Sequence, residues 1–141
     1  MNFKSRKGLT LIEILLVLVL IGFVFSIIGG RVFNSFGRGQ KDAAKLLIAK
    51  LQQDLDRYRF DCNRYPGTEQ GLAALVSAPS GGTTCANYDP AGYLKKIPKD
   101  PWQHDFVYSC DDGINYEIKS LGADGAEGGE DANADISSKD I

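Results

Sequence analysis

Histidine is nearly absent from this chain: 141 residues include one, His104, beside one methionine, one tryptophan and three cysteines. No Cys-x-x-Cys pair occurs, so no set of side chains has the spacing of a zinc site. No nucleophile stands beside a candidate base, and neither a phosphate-cradling loop nor a credible pair of catalytic carboxylates is present, which leaves no enzyme reading. The formal net charge is only −2. Basic residues are spread along one segment and not interleaved with aromatics, which argues against a nucleic-acid surface. Charge is scarcest between Leu9 and Ile28, where Glu13 is the single ionisable side chain. No Ala-x-Ala follows between Gly22 and Gly30. A cleaved secretory signal, with an apolar region of about 7 to 15 residues and a small-x-small end, does not fit.

What fills that stretch is hydrophobic. Sixteen of the residues from Leu9 to Ile28 are Leu, Ile, Val or Phe, and about twenty helical residues reach roughly 30 Å, the thickness of a hydrocarbon core. Each apolar residue favours insertion by about 0.3 to 0.6 kcal/mol, which outweighs one carboxylate near the end of the span. Lys4, Arg6 and Lys7 precede the run and hold the N-terminus in the cytoplasm. A single small domain remains beyond it, at 31–141. Its first part, Arg31 to Arg59, is basic, whereas the last twenty-one residues carry Asp124, Glu127, Glu130, Asp131, Asp135 and Asp140 against Lys139 alone. Cys62, Cys85 and Cys110 all lie in this domain. In an oxidising periplasm one disulfide is expected; three pairings are open, as is a reading with three buried thiols.

Gly29, Gly30, Gly37 and Gly39 cluster after the apolar run and predict a soft joint or a close helix approach. Ala44, Ile48, Leu51, Leu55 and Tyr58 then recur at helical spacing, so a helix with one buried face runs to about Cys62-Asn63, ahead of Tyr65-Pro66. Thr68–Val76 reads as a short second helix with Leu72, Leu75 and Val76 inward. Tyr93, Leu94 and Ile97 are anchors among turn residues, Trp102 is a packed aromatic, and His104 reads as a loop residue. Phe106–Cys110 and Ile114–Ile118 carry β-formers around Asp111-Asp112-Gly113, a hairpin signal.

The basic leader, Gly8, Leu9-Thr10-Leu11-Ile12-Glu13 and the unbroken apolar helix resemble the N-terminal signal of type IV pilins and pseudopilins. Arg64-Tyr65-Pro66, Thr68-Glu69-Gln70-Gly71-Leu72, Tyr93-Leu94-Lys95-Lys96, Pro98–Trp102 and Ser120–Gly125 follow in order, and together look like the major pseudopilins of type II secretion systems. This resemblance implies an α+β, pilin-like fold: a long N-terminal transmembrane helix, a short helix, a small antiparallel sheet and a C-terminal calcium loop. It implies a leader at 1–8 cut after Gly8 by a prepilin peptidase, N-methylation of Leu9 (where the family usually has Phe), and a membrane and filament-core helix at 9–30. Glu13 would pair with the N-terminal ammonium of a neighbouring subunit, each charge relieving the other's burial penalty. The expected role is that of the major structural subunit of a homopolymeric periplasmic filament. It would assemble with minor pseudopilins on an inner-membrane platform and drive folded exoproteins outward. A type IV pilin for adhesion, motility or DNA uptake is the alternative. A membrane-anchored calcium-binding domain that never polymerises is a second rival.

The segment Leu121–Ile136 is acidic and glycine-rich, with little to pack, and by itself would repel itself into disorder. Calcium, bound by six to eight oxygens, would order it; a solvated acidic loop is the alternative. The resemblance implies Ca²⁺ here, with Asp124 and Asp135 as ligands, Asn133 at a position where relatives often carry Asp, Asp131 in support, and carbonyls of Leu121 and Ala126 completing the shell.

Overall fold

The computed structural model describes the backbone of residues 10–81 and 84–141, and the side chains of all of these except 27–36. Contacts divide the chain into two units, Met1–Phe36 and Gly37–Ile141. One helix, α1 (Leu11–Cys62), is assigned across the boundary. Its backbone is helical at Gly29, Gly30, Gly37 and Gly39, where the sequence predicts a joint. A glycine costs only about 1 kcal/mol in a helix and does not forbid one.

In the first unit α1 starts at a capping box. The Glu13 amide donates to Thr10 Oγ1 at 3.4 Å, and the Thr10 amide donates to the Glu13 carboxylate at 3.5 Å, which satisfies two amides that a helix start leaves open. Every large apolar side chain from Leu11, 80% exposed, to Phe25, 72% exposed, faces outward in the single subunit. Among the described residues no helix is long and apolar enough to cross a membrane. Leu11 to Ser26 rises roughly 24 Å, short of the ~30 Å a span requires; the rest of the run lies beyond the described side chains.

In the second unit the predicted stripe is the spine of the core: Ala44, Ile48, Leu51, Leu55 and Tyr58 are all buried. The helix stops at Cys62, and Asn63 turns the chain at a φ of 59°. Gly71 takes a φ of +56°, so the turn before it cannot run on as an α-helix. The expected second helix is therefore a 3-10 turn, Gly71–Leu75, burying Leu72, Ala74 and Leu75. The amides of Tyr93 and Leu94 both donate to the Leu75 carbonyl. This brings Tyr93 against Tyr58 and Tyr88 in edge-to-face contacts at 5.4 and 5.3 Å.

Three antiparallel strands complete the domain: β1 (Val107–Ser109), β2 (Glu117–Ser120) and β3 (Ile136–Ser137), in that spatial order. Tyr108 lies opposite Ile118, and Ser120 opposite Ile136. The hairpin differs from the sequence expectation. Its second strand begins at Glu117, because the Asp112 carboxylate accepts from the amides of Ile114 and Asn115 at 2.8 and 2.7 Å and from the Asn115 side chain at 2.6 Å. Those bonds divert Ile114 and Asn115 from the ladder and hold the Asp112 carboxyl down to about 2, the Asn115 amide first among the causes. Of the three open cysteine pairings, Cys62–Cys85 is formed, with Cα atoms 4.9 Å apart, and Cys110 is a buried free thiol.

Candidate functional site

The C-terminal loop is built on the short 3-10 turn Asp131–Asn133. Its two arms converge there. A Cβ on Gly122 (φ +66°) would lie 2.7 Å from the Asn133 carbonyl oxygen, and one on Gly129 (φ +86°) would lie 2.6 Å from it. Only glycine fits either position, both for its backbone angle and for the space. The Ala123 amide donates to the Ala132 carbonyl at 3.0 Å and closes the base of the loop.

Two of the residues expected to bind a metal face the same short segment. The Asp124 carboxylate accepts from the Ala126 amide at 3.1 Å, and Asp135 Oδ2 accepts from the Gly128 amide at 3.0 Å. Asp135 Oδ1 is buried and has no hydrogen-bond partner among the described residues. An orphaned buried carboxylate oxygen is costly to leave unsatisfied, and a cation is the partner that would relieve it. Asp131 adopts a φ of 50° and, like Asn133, is exposed; Leu121 is half-buried at the end of β2. Among the described residues no three His, Cys, Asp or Glu side chains converge on one point. An ion here would therefore depend on amide and backbone oxygens as well as two carboxylates, which is calcium's preference and not that of zinc.

The support beneath this loop was not apparent from sequence. Asp100, 1% exposed, accepts from the amides of Trp102 and His104 at 3.0 and 2.7 Å through Oδ1, and from the Ser120 hydroxyl at 2.7 Å through Oδ2. It locks the bend Pro101–His104 onto β2. His104, read as a loop residue without a partner, instead lies 3.0 Å through Nδ1 from the Gly122 carbonyl. The Asp-x-x-x-His spacing, with an Asp able to accept amides two and four residues ahead, was the available signal. On the other side of the sheet Glu117 is held below the usual carboxylate range by the Ser137 hydroxyl and then by Lys139, which fastens the C-terminal residues to β2.

The expected cleavage and methylation residues, Gly8 and Leu9, lie outside the described residues. Glu13 is described, exposed, and occupied with its own Thr10 amide in the isolated chain.

Comparisons with known proteins cover nearly the whole length. The family described as type II secretion system, protein G, matches residues 31–139, and the prokaryotic N-terminal methylation motif matches residues 3–29. The type II secretion system core protein G of Pseudomonas aeruginosa is 38% identical over 141 residues, covering 99% of each chain. Its counterpart from Vibrio cholerae is 37% identical over 141 residues, covering 99% of this chain and 96% of its own. Among solved structures, the major pseudopilin from the type 2 secretion system of enterohaemorrhagic Escherichia coli superposes with a TM-score of 0.68 at 34% identity, over 77% of this chain and 94% of that one.

Proposed function

The chain belongs to the type II secretion system protein G family, and from that membership we propose how it works: the segment Leu9–Ile28 holds the subunit in the inner membrane and then becomes the core of a periplasmic filament. That the chain is a pseudopilin, a structural subunit and not an enzyme, follows from the family and the fold. The type IV pilin alternative is not favoured. One observation carries the rest. Apart from Glu13, the described part of α1 from Leu11 to Phe25 carries large apolar side chains on every side, and they are exposed in the single subunit. A helix apolar all round is stable only in lipid or surrounded by other helices, and a filament subunit needs both environments in turn. Prepilin peptidase would cut after Gly8 and leave Leu9 as the methylated N-terminus. Minor pseudopilins and an inner-membrane platform would start and feed the polymer, whose growth would push folded exoproteins outward. A mass spectrum of the N-terminus tests this. A methylated Leu9 end is expected; a chain still beginning at Met1 or Asn2 would count against it.

Glu13 is the polar handle of that helix. In the free subunit it caps its own first turn; in the polymer it would exchange the Thr10 amide for a neighbour's N-terminal ammonium, so that each buried charge is neutralised by the other. Glu13→Ala is expected to leave membrane insertion unchanged, since removing a charge only favours it, and to abolish filaments when assembly is followed by electron microscopy. Normal filaments from this variant would eliminate the proposed pairing.

For the acidic loop we propose calcium, with Asp124 and Asp135 as carboxylate ligands, Asn133, Asp131 and backbone oxygens of Leu121 and Ala126 as the remainder. The orphaned Asp135 Oδ1 supports this reading. Calcium would supply the positive charge that lets these acidic residues lie close together. Full-length protein in detergent micelles should melt higher with calcium than with chelator. Saturation at 100 times the dissociation constant adds about 2.7 kcal/mol, or roughly 10 to 20 °C for a domain of this size. Asp124→Ala should lose the shift; an unchanged melting temperature in the wild-type protein would remove calcium from the account.

A further inference from the structure

We propose that His104 is the positioning residue of the C-terminal loop: its imidazole is the platform that sets the Gly122–Gly125 turn, and with it Asp124, for calcium. The inference rests on the calcium reading above and adds a residue outside the acidic segment. Two contacts place the ring. Nδ1 lies 3.0 Å from the Gly122 carbonyl oxygen; a carbonyl only accepts, so Nδ1 carries the hydrogen and donates. At the other end of the turn, a Cβ built on Gly125 would meet His104 Cε1 and Nε2 at 3.1 Å and Nδ1 at 3.3 Å. The Gly125 backbone therefore packs close to the ring, and a side chain at its φ of +65° would be both strained and tight against the imidazole. Asp124 is the residue immediately before that contact, held between two points fixed to one imidazole.

The platform is itself anchored. The His104 amide donates to buried Asp100 at 2.7 Å, the His104 carbonyl accepts from the Asp100 amide at 2.9 Å, and the other carboxylate oxygen of Asp100 accepts from Ser120 on β2. The chain of contacts runs from the sheet through Ser120, Asp100 and His104 to the loop. An acidic, glycine-rich segment gains little order from its own residues, and preorganising its shape lowers the ordering cost that ion binding must otherwise meet.

Calcium titration of the full-length chain in micelles separates the possibilities, using wild type, His104→Ala and His104→Asn. Asparagine retains a side-chain N–H near the position of Nδ1 but not the flat ring. The expected result is a calcium affinity at least tenfold weaker in His104→Ala, recovered only in part in His104→Asn, which restores the Gly122 bond but not the Gly125 contact. The calcium-induced rise in melting temperature should shrink in parallel. In chelator, the amides of Ala126 and Gly128 should exchange hydrogen faster in His104→Ala than in wild type. If His104→Ala melts lower by the same amount with calcium and with chelator, and binds calcium as tightly as wild type, the residue only stabilises the fold and the proposal fails. If wild type binds no calcium, the reading beneath it fails first and the proposal with it.

Discussion

Replacing Asp100 by alanine is expected to destabilise the second unit by about 3 to 5 kcal/mol, among the largest losses available to a single substitution in this chain. The side chain is 1% exposed and accepts three hydrogen bonds, from two amides and one hydroxyl. Hydrogen bonds to a charged group contribute about 1.5 to 3 kcal/mol each, and their sum is reduced because they share one acceptor group. Alanine would leave the partly buried amides of Trp102 and His104 and the buried hydroxyl of Ser120 without this acceptor. At about 4 to 8 °C per kcal/mol for a domain of this size, the melting temperature should fall by roughly 12 °C or more. Asp100→Asn gives the contrast. Its amide oxygen can replace Oδ1 for both backbone N–H groups, while the Ser120 hydroxyl rotates to accept from the new NH₂. The expected loss is about 1 kcal/mol. Thermal melts of the two variants side by side check the claim; equal losses would show that the site requires the charged carboxylate itself, and that a neutral side chain of the same volume is no better than none.

The second large effect is the removal of the Cys62–Cys85 disulfide. The bond joins the end of α1 to the segment after the 3-10 turn and closes a loop with a sequence separation of 23. In the chain-entropy picture a loop of this length is worth roughly 3 kcal/mol, through restriction of the unfolded state. The double variant Cys62→Ser/Cys85→Ser, or reduction of the wild type, should lower stability by that amount in a urea melt with little change in the folded core, since Tyr58, Tyr88 and Tyr93 still hold the same corner. Thiol labelling provides a control. Native oxidised protein should react slowly because Cys110 is buried, and denatured oxidised protein should show a single thiol. Three reactive thiols on denaturation would show that the bond had not formed.

The spine of the fold was legible because helical periodicity is a local property. Ala44, Ile48, Leu51, Leu55 and Tyr58 lie on one face whatever they pack against, and all five are buried. The stop at Cys62 was legible for a similar reason, since Pro66 restricts the residue before it. The hairpin register was not, because it turns on which donors the Asp112 carboxylate takes, and several carboxylates stood nearby. The two-residue strand β3 was invisible: a strand so short has no periodicity to read, and its existence depends on β2 lying alongside. At the candidate site, the acidic residues were apparent from their density, but the parts that hold them were not. Asp100, His104 and Ser120 are scattered over twenty residues and become a unit only through three-dimensional contacts. A single histidine in a loop carries no sequence signal of its own, and its ring acquires meaning from the two glycines above it.

The segment 136–138 sets when the second unit can finish folding. Ser138 exchanges hydrogen bonds with Ile118 through both its amide and its hydroxyl, and its carbonyl accepts from Gln52, eighty-six positions earlier. β3 and these bonds belong to the final six residues, 136–141. α1 ends at Cys62 and the first strand starts at Val107, so any contact between them joins residues far apart in sequence, and loop-closure entropy is lost before such a contact returns it. Until 136–138 pairs with β2, the sheet therefore stays open with its third strand missing, and the second unit cannot close.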